Sequence, residues 1–169
     1  MSDLLGNKLF SATINKFNLL LLYMSYKGIY RPSNPKKYKG DSQNIIYRSL
    51  WERKFMNYCD LNENILEWAS EEFFIPYHDP TTNRVRRYFP DFFIKYKDKD
   101  GNIRRSVIEV KPMRETLEPK ATKGKSRKTL INESVTYVKN QAKWKAAREF
   151  CADRKLEFKI MTEKELGIR

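Results

Sequence analysis

Histidine occurs once in these 169 residues, as His78, and cysteine twice, as Cys59 and Cys151. A zinc site of the His/Cys type, or any hydrolytic centre built on histidines, therefore lacks its ligands. A metal in this chain must be held mostly by carboxylates, which favours Mg²⁺ or Mn²⁺. The two cysteines form no CxxC arrangement and read as small apolar residues of a reducing compartment, not as a disulfide framework. Long apolar runs are missing too. The longest, Leu19 to Met24, is about a third of a membrane span. The chain opens without a basic segment or a small-residue cleavage site, so a soluble, intracellular protein is expected. The scarce charge is the negative one: Asp and Glu number 21 against 34 Lys and Arg, a net charge of +13 and a pI near 9.7. Such an excess draws polyanions, nucleic acid first among them, although a Lys-rich soluble surface would give the same count.

What is present suits one domain: 40% hydrophobic and 14% aromatic residues, interleaved with charge. Leu4 to Tyr26 carries apolar residues at helical spacing, and GIYRPSNPKKYKGD follows as an ordered loop or a linker with a basic face, not a core element, with Tyr30 and Tyr38 to pack it against the rest. Residues 1–40 are thus expected to form a helical extension with its loop, and 41–169 the main domain. Ser49 to Tyr58 reads as a helix with Trp51, Phe55 and Tyr58 on one stripe, and Asp60 as the N-cap of a second helical segment reaching Trp68. Strands are expected over Phe73 to Tyr77, Arg87 to Lys97 and Ile103 to Val110, with KDKDG turning between the last two. His78 reads as a turn residue. Arg114 to Thr129 has the composition of a mobile loop. Ser134 to Asp153 reads as a helix with Val138, Ala142, Ala146 and Phe150 along one face, and Trp144, Ala147 and Cys151 beside it. Leu156 to Met161 is a final strand. The class is α/β, a mixed sheet with helices against it.

The chemistry concentrates in the hairpin. Glu109 and Lys111 are two residues apart, so on a strand they share a face, and Asp91 arrives from the neighbouring strand. Val107-Ile108-Glu109-Val110 is a near-continuous apolar run, typical of a strand buried on both sides. Two carboxylates in such a setting repel unless a cation lies between them. The plainer alternative is a same-face ion pair on a solvated sheet. Upstream, Ser49-Leu50-Trp51-Glu52 is a capping-box sequence, so Glu52 is open to two readings, helix cap or site carboxylate.

Pro90-Asp91, an interval, then Glu109-Val110-Lys111, with Glu52 on an upstream helix, resembles the PD-(D/E)XK nuclease signature. Tyr47 to Lys111 is similar to the transposase-subunit endonucleases of the TnsA kind. The order GIYRPSNPKKYKGD, IIYRSLWERKF, the PD hairpin, EVKP and NESVTYVKNQAKWKAA resembles the head-completion nucleases of T4-like phages, from about Tyr26 onward. The resemblance implies a restriction-endonuclease-like fold and Mg²⁺- or Mn²⁺-dependent endonucleolytic hydrolysis of DNA phosphodiesters during phage head completion. It further implies that Asp91, Glu109 and Glu52 are the metal ligands and Lys111 completes the catalytic set. It also implies phage head or neck proteins as partners, in the host cytoplasm or on the virion.

Candidate contacts to DNA phosphate are Arg84, Arg86 and Arg87, the stretch Lys120, Lys123, Lys125, Arg127 and Lys128, and Lys143 on the long helix. Asn140, Gln141 and Lys143 read as contacts to phosphate or to a metal-bound water, or equally as a solvated helix face, and Glu71 and Glu72 as surface charges or peripheral metal contacts. Two other functions remain: a non-catalytic DNA-end-binding or structural assembly protein with a vestigial site, and a transposase-type strand cleaver that relies on partner subunits.

Overall fold

In the computed structural model, which describes residues 26–168, the apolar runs of the second half pair into a four-stranded mixed sheet. Its order is β3 (Ile65–Ser70), β6 (Phe92–Lys97), β7 (Ile103–Val110) and β8 (Glu157–Met161). The first three run antiparallel, and β8 lies parallel to β7. Two small antiparallel pairs accompany it: β1 (Gly28–Tyr30) with β2 (Ile45–Tyr47), and β4 (Ile75–Asp79) with β5 (Arg84–Tyr88). Helix α1 is Leu50–Leu61, α2 the single turn Met113–Thr116, and α3 the long Arg127–Asp153. A parallel β7–β8 pair requires a crossover, and α3 supplies it. This is the α/β, restriction-endonuclease-like arrangement expected; the helical extension over residues 4–25 lies outside the described residues.

The main core lies between α1 and the sheet. Trp51, Phe55, Met56 and Cys59 of α1 meet Trp68, Phe92, Ile94, Ile108 and Val110. Burial of this apolar surface is the main driving force for the layer. β7 is the best-buried strand: Ser106 to Val110 are all shielded, because β6 and β8 flank it and packed layers cover it. A second cluster joins Ile75, Tyr77 and Tyr88 of the β4–β5 hairpin to Ala147 of α3, with Phe150 and Phe158 against it.

Several expectations change. Residues 65–70 form a strand, not the end of a helix. Asp60, read as an N-cap, closes the last turn of α1, where it accepts from the backbone N–H groups of Ser33 (2.7 Å) and Asn34 (2.9 Å) and from the Tyr30 hydroxyl (3.3 Å). That buried anchor pulls the Pro-rich loop inward, so the loop contributes to the core through Tyr30 and Tyr38, the two residues expected to pack it. The expected Arg87–Lys97 strand is two strands interrupted at Phe89-Pro90-Asp91, where proline has no N–H for a ladder. The strand placed at 73–77 runs from Ile75 to Asp79, so His78 is an exposed strand residue rather than a turn.

The long helix begins at Arg127, not Ser134. Ser126 caps it, its hydroxyl accepting from Thr129 N–H at 3.1 Å. Its buried stripe is Asn140, Trp144, Ala147 and Cys151, whereas Val138 is exposed. The stretch read as a loop from Arg114 to Thr129 is thus shortened from both ends by α2 and α3.

Candidate active site

Strand register assembles the site. Phe92 of β6 pairs with Ile108 of β7; one step beyond, where β6 has ended, Asp91 comes beside Glu109. Pro90 is buried and holds the approach, and the Asp91 carboxylate accepts from Val110 N–H at 2.7 Å. Glu109 is only 3% exposed. One of its oxygens accepts from the Tyr88 hydroxyl at 2.6 Å, and the other faces Lys111 Nζ at 3.2 Å. The period of two along β7 turns Glu109 and Lys111 to the same side. The backbone N–H of Lys111 donates to Met161 O at 3.0 Å, which ties the end of β7 to β8.

Electrostatics mark Asp91 as the stressed member. Burial raises its carboxyl well above the usual carboxylate range, and the charges of Glu109 and Glu52 raise it further, against the opposing pull of Lys111. Burial also raises Glu52. The capping box at α1 is formed: Glu52 N–H donates to Ser49 Oγ at 3.1 Å, and the Glu52 carboxylate accepts from Arg48 N–H (2.7 Å) and Ser49 Oγ (3.0 Å). The cap reading of Glu52 is therefore met. It caps the helix, and its charge reaches Asp91.

Lys143 of α3 completes the surroundings. Its ammonium lies 5.7 Å from the ring centre of Tyr88 and 6.0 Å from that of Tyr77. Burial lowers its pKa, while Glu109 and Asp91 oppose the change. Asn140, one turn earlier, is buried, and its Nδ2 meets no acceptor among the described residues. Among those residues no three His, Cys, Asp or Glu side chains converge into a full metal-ligand set. The core of the site is two carboxylates and a lysine.

The other basic candidates lie on β5, on the stretch before α3 and at the start of that helix. Arg84, Arg86 and Arg87 lie exposed on β5, with Arg86 Nε 3.3 Å from the buried Asp79 carboxylate. Lys125 is committed locally, to Glu133 at 2.8 Å and to Lys120 O at 3.0 Å. Lys120, Lys123 and Lys128 are exposed, and Arg127 opens α3. Glu71, read as a surface charge, pairs with Arg48 (3.1 Å to Nε), and Glu72 accepts from the Tyr38 hydroxyl at 2.7 Å.

Sequence reading missed Arg48 and Tyr88. Arg48, whose pKa the Glu71 hydrogen bond raises, also feels Glu52 and Asp91. Only its position one residue before the capping serine hinted at this. Tyr88 gave no signal, because its role depends on a strand break after it.

A buried strand that presents an acid and a lysine, joined by an acid just before the neighbouring strand, on a mixed sheet with helices against it, has the arrangement expected of a nuclease-type centre. The TnsA-like endonuclease N-terminal family model matches residues 62–163, more than half of the chain and all three of these side chains. The chain belongs to this family. It is also similar to the head completion nuclease of Enterobacteria phage T4, with 38% identity over 143 residues that cover 83% of this chain and 93% of that protein.

Proposed function

We propose that this protein is a Mg²⁺- or Mn²⁺-dependent endonuclease that hydrolyses DNA phosphodiesters, trimming packaged DNA as phage heads are completed. The convergence of Asp91, Glu109 and Lys111 in a member of an endonuclease family carries the reading. The assembly context comes from the similarity to the T4 head completion nuclease, and phage head or neck proteins are the matching partners.

The donor set suits a hard divalent ion. Asp91 and Glu109 offer only carboxylate oxygens, and the repulsion that raises Asp91 is what a cation relieves. These two residues would hold the ion, with Glu52 beside them. When bound, the ion supplies charge neutralisation and activation of the attacking water. Tyr88, donating to Glu109, fixes that carboxylate's orientation. Lys111 orients the nucleophile and balances charge developing on the phosphate. Lys143 brings a second positive charge toward Glu109 and Asp91.

A fluorophore–quencher duplex tests the reading. Cleavage is expected in Mg²⁺ or Mn²⁺ and not in Ca²⁺, whose looser shell holds the nucleophile less well. Cleavage that persists in excess EDTA would overturn the metal assignment.

Glu52 has its own prediction. Glu52→Gln keeps a capping side chain, so the unfolding midpoint should stay near wild type. Glu52→Ala loses those contacts, at about 1 kcal/mol. Cleavage should fall at least roughly tenfold in both, on the order of one weakened charge contact. A fully active Gln variant would confine Glu52 to the cap.

The basic residues Arg84, Arg86, Arg87, Lys120, Lys123, Lys125, Arg127, Lys128 and Lys143 are proposed to hold the backbone, with Lys125 the weakest because of its pairing to Glu133. Replacing Lys123, Arg127 and Lys128 by Ser should flatten the log affinity–log salt slope by about two to three units, near 0.9 per phosphate neutralised. Fluorescence anisotropy on one duplex across a salt series measures this, and an unchanged slope removes the three residues from the interface.

A further inference from the structure

Phe74 and Phe89 are large aromatic residues that the fold leaves 46% and 44% exposed. They are not scattered. Their ring centres lie 5.9 Å apart, tilted by 52°, and the Arg87 guanidinium sits 5.4 Å over the Phe74 ring. Phe89 is two residues before Asp91, in the break between β5 and β6, and Phe74 directly precedes β4. The pair therefore forms an apolar step at the root of the β4–β5 hairpin, on the segment that leads into the candidate catalytic Asp91. Beyond it the hairpin presents Arg84, Arg86 and Arg87, all exposed.

An apolar peptide would gain little from a step with a guanidinium over one of its rings, whereas a polyanion with flat π faces satisfies both features. Nucleic acid is that ligand. In an intact duplex the base faces are covered by their neighbours, so a stacking step is useful only where a base is unpaired. We propose that Phe74 and Phe89 stack on an unpaired nucleobase beside the scissile phosphate, which directs the enzyme to DNA with single-stranded arms, such as forks and overhangs. The proposal rests on the nuclease reading above and adds the substrate class to it. Arg87, with its guanidinium 5.4 Å from the Phe74 ring centre, adds a cation–π contact and a positive charge for the adjacent phosphate.

The test uses the full chain carrying Asp91→Asn, in EDTA, so that binding is read without turnover. Anisotropy gives affinities for a blunt duplex and for the same duplex extended by two non-complementary arms. The fork should bind more tightly. Adding Phe74→Ala and Phe89→Ala should lower the fork-to-blunt affinity ratio at least about fivefold, the low end expected for one lost base stack. A Phe74→Leu, Phe89→Leu pair, which keeps the apolar surface but not the ring faces, should lower it as well. A 2-aminopurine in the arm should be quenched by the parent and not by the Ala pair. Equal affinity for the two DNAs in the parent, or a ratio unchanged by the Ala pair, overturns the proposal. The two readings fail separately. A protein that cuts DNA but shows an unchanged ratio sinks only the stacking step, and one that shows the fork preference yet never cuts sinks only the nuclease reading.

Discussion

Asp91→Asn is expected to abolish cleavage while making the metal-free protein more stable. Loss of a metal-holding group should lower the rate by at least roughly a hundredfold. The stability change runs the other way because burial and the charges of Glu109 and Glu52 raise the Asp91 carboxyl above its unfolded value. Over the interval between those two values the folded state keeps a proton that the unfolded state has released. Stability from this residue is therefore greatest in acid and falls as pH rises from the unfolded pKa to the folded one. At neutral pH, well above the unfolded value, the buried carboxyl is a net cost to the fold. Asparagine removes the charge and keeps an acceptor for Val110 N–H. The melting temperature in EDTA should rise by a few degrees at pH 7, with the gain shrinking toward pH 4. Mg²⁺ should raise the wild-type value and leave the variant unmoved. A variant less stable than wild type at pH 7 would mean that Asp91 is a structural residue.

Lys111→Met should lose activity on the same scale, at least about a hundredfold, with the opposite effect on stability. Here the variant leaves the Glu109 carboxylate, only 4% exposed, without the ammonium 3.2 Å away. Removing one partner of a buried pair strands the other, at a cost on the order of 2–3 kcal/mol given that Tyr88 still donates to Glu109. Urea unfolding of the two variants side by side, at pH 7 in EDTA, separates the effects. One inactive protein should be more stable than wild type and the other less. Movement in the same direction would contradict the charge arrangement derived for the site.

The parts of this site that were legible in the sequence depend on one short-range rule. Glu109 and Lys111 face the same way because a strand repeats every two residues, and the Val-Ile-Glu-Val run shows burial on both faces. Asp91 was legible because Asp98 and Gly101 make a recognisable turn: Gly101 has φ +81, and Asp98 accepts from the Asp100 and Asn102 N–H groups. What failed depended on tertiary partners. Ile65–Ser70 contains Leu, Glu and Ala, all good helix formers, and becomes a strand through pairing with β6. The β4–β5 hairpin was missed because its turn has no Asn-Gly or Asp-Gly pair. Instead the buried Asp79 side chain shapes it, accepting from Thr81 N–H and Oγ at 2.9 and 2.6 Å.

The start of α3 was hidden by a basic stretch that looked like a loop, yet Ser126 caps it. The inward face of that helix was read correctly from Ala142 to Cys151, and only Val138 was misplaced, because apolar residues of the N-terminal half, Ile131, Val135 and Val138, are exposed. Tyr88 and Arg48 enter the site only through the break after β5 and the ion pair to Glu71, neither of which has a local sequence signal.

The most direct test is conversion of supercoiled plasmid by the wild-type chain and by Asp91→Asn, each incubated with Mg²⁺ and with excess EDTA. Relaxed or linear DNA should form only with the wild-type protein in Mg²⁺. Equal conversion by the Asp91 variant, or conversion by the wild type in EDTA, would contradict a metal-dependent centre built on Asp91, Glu109 and Lys111.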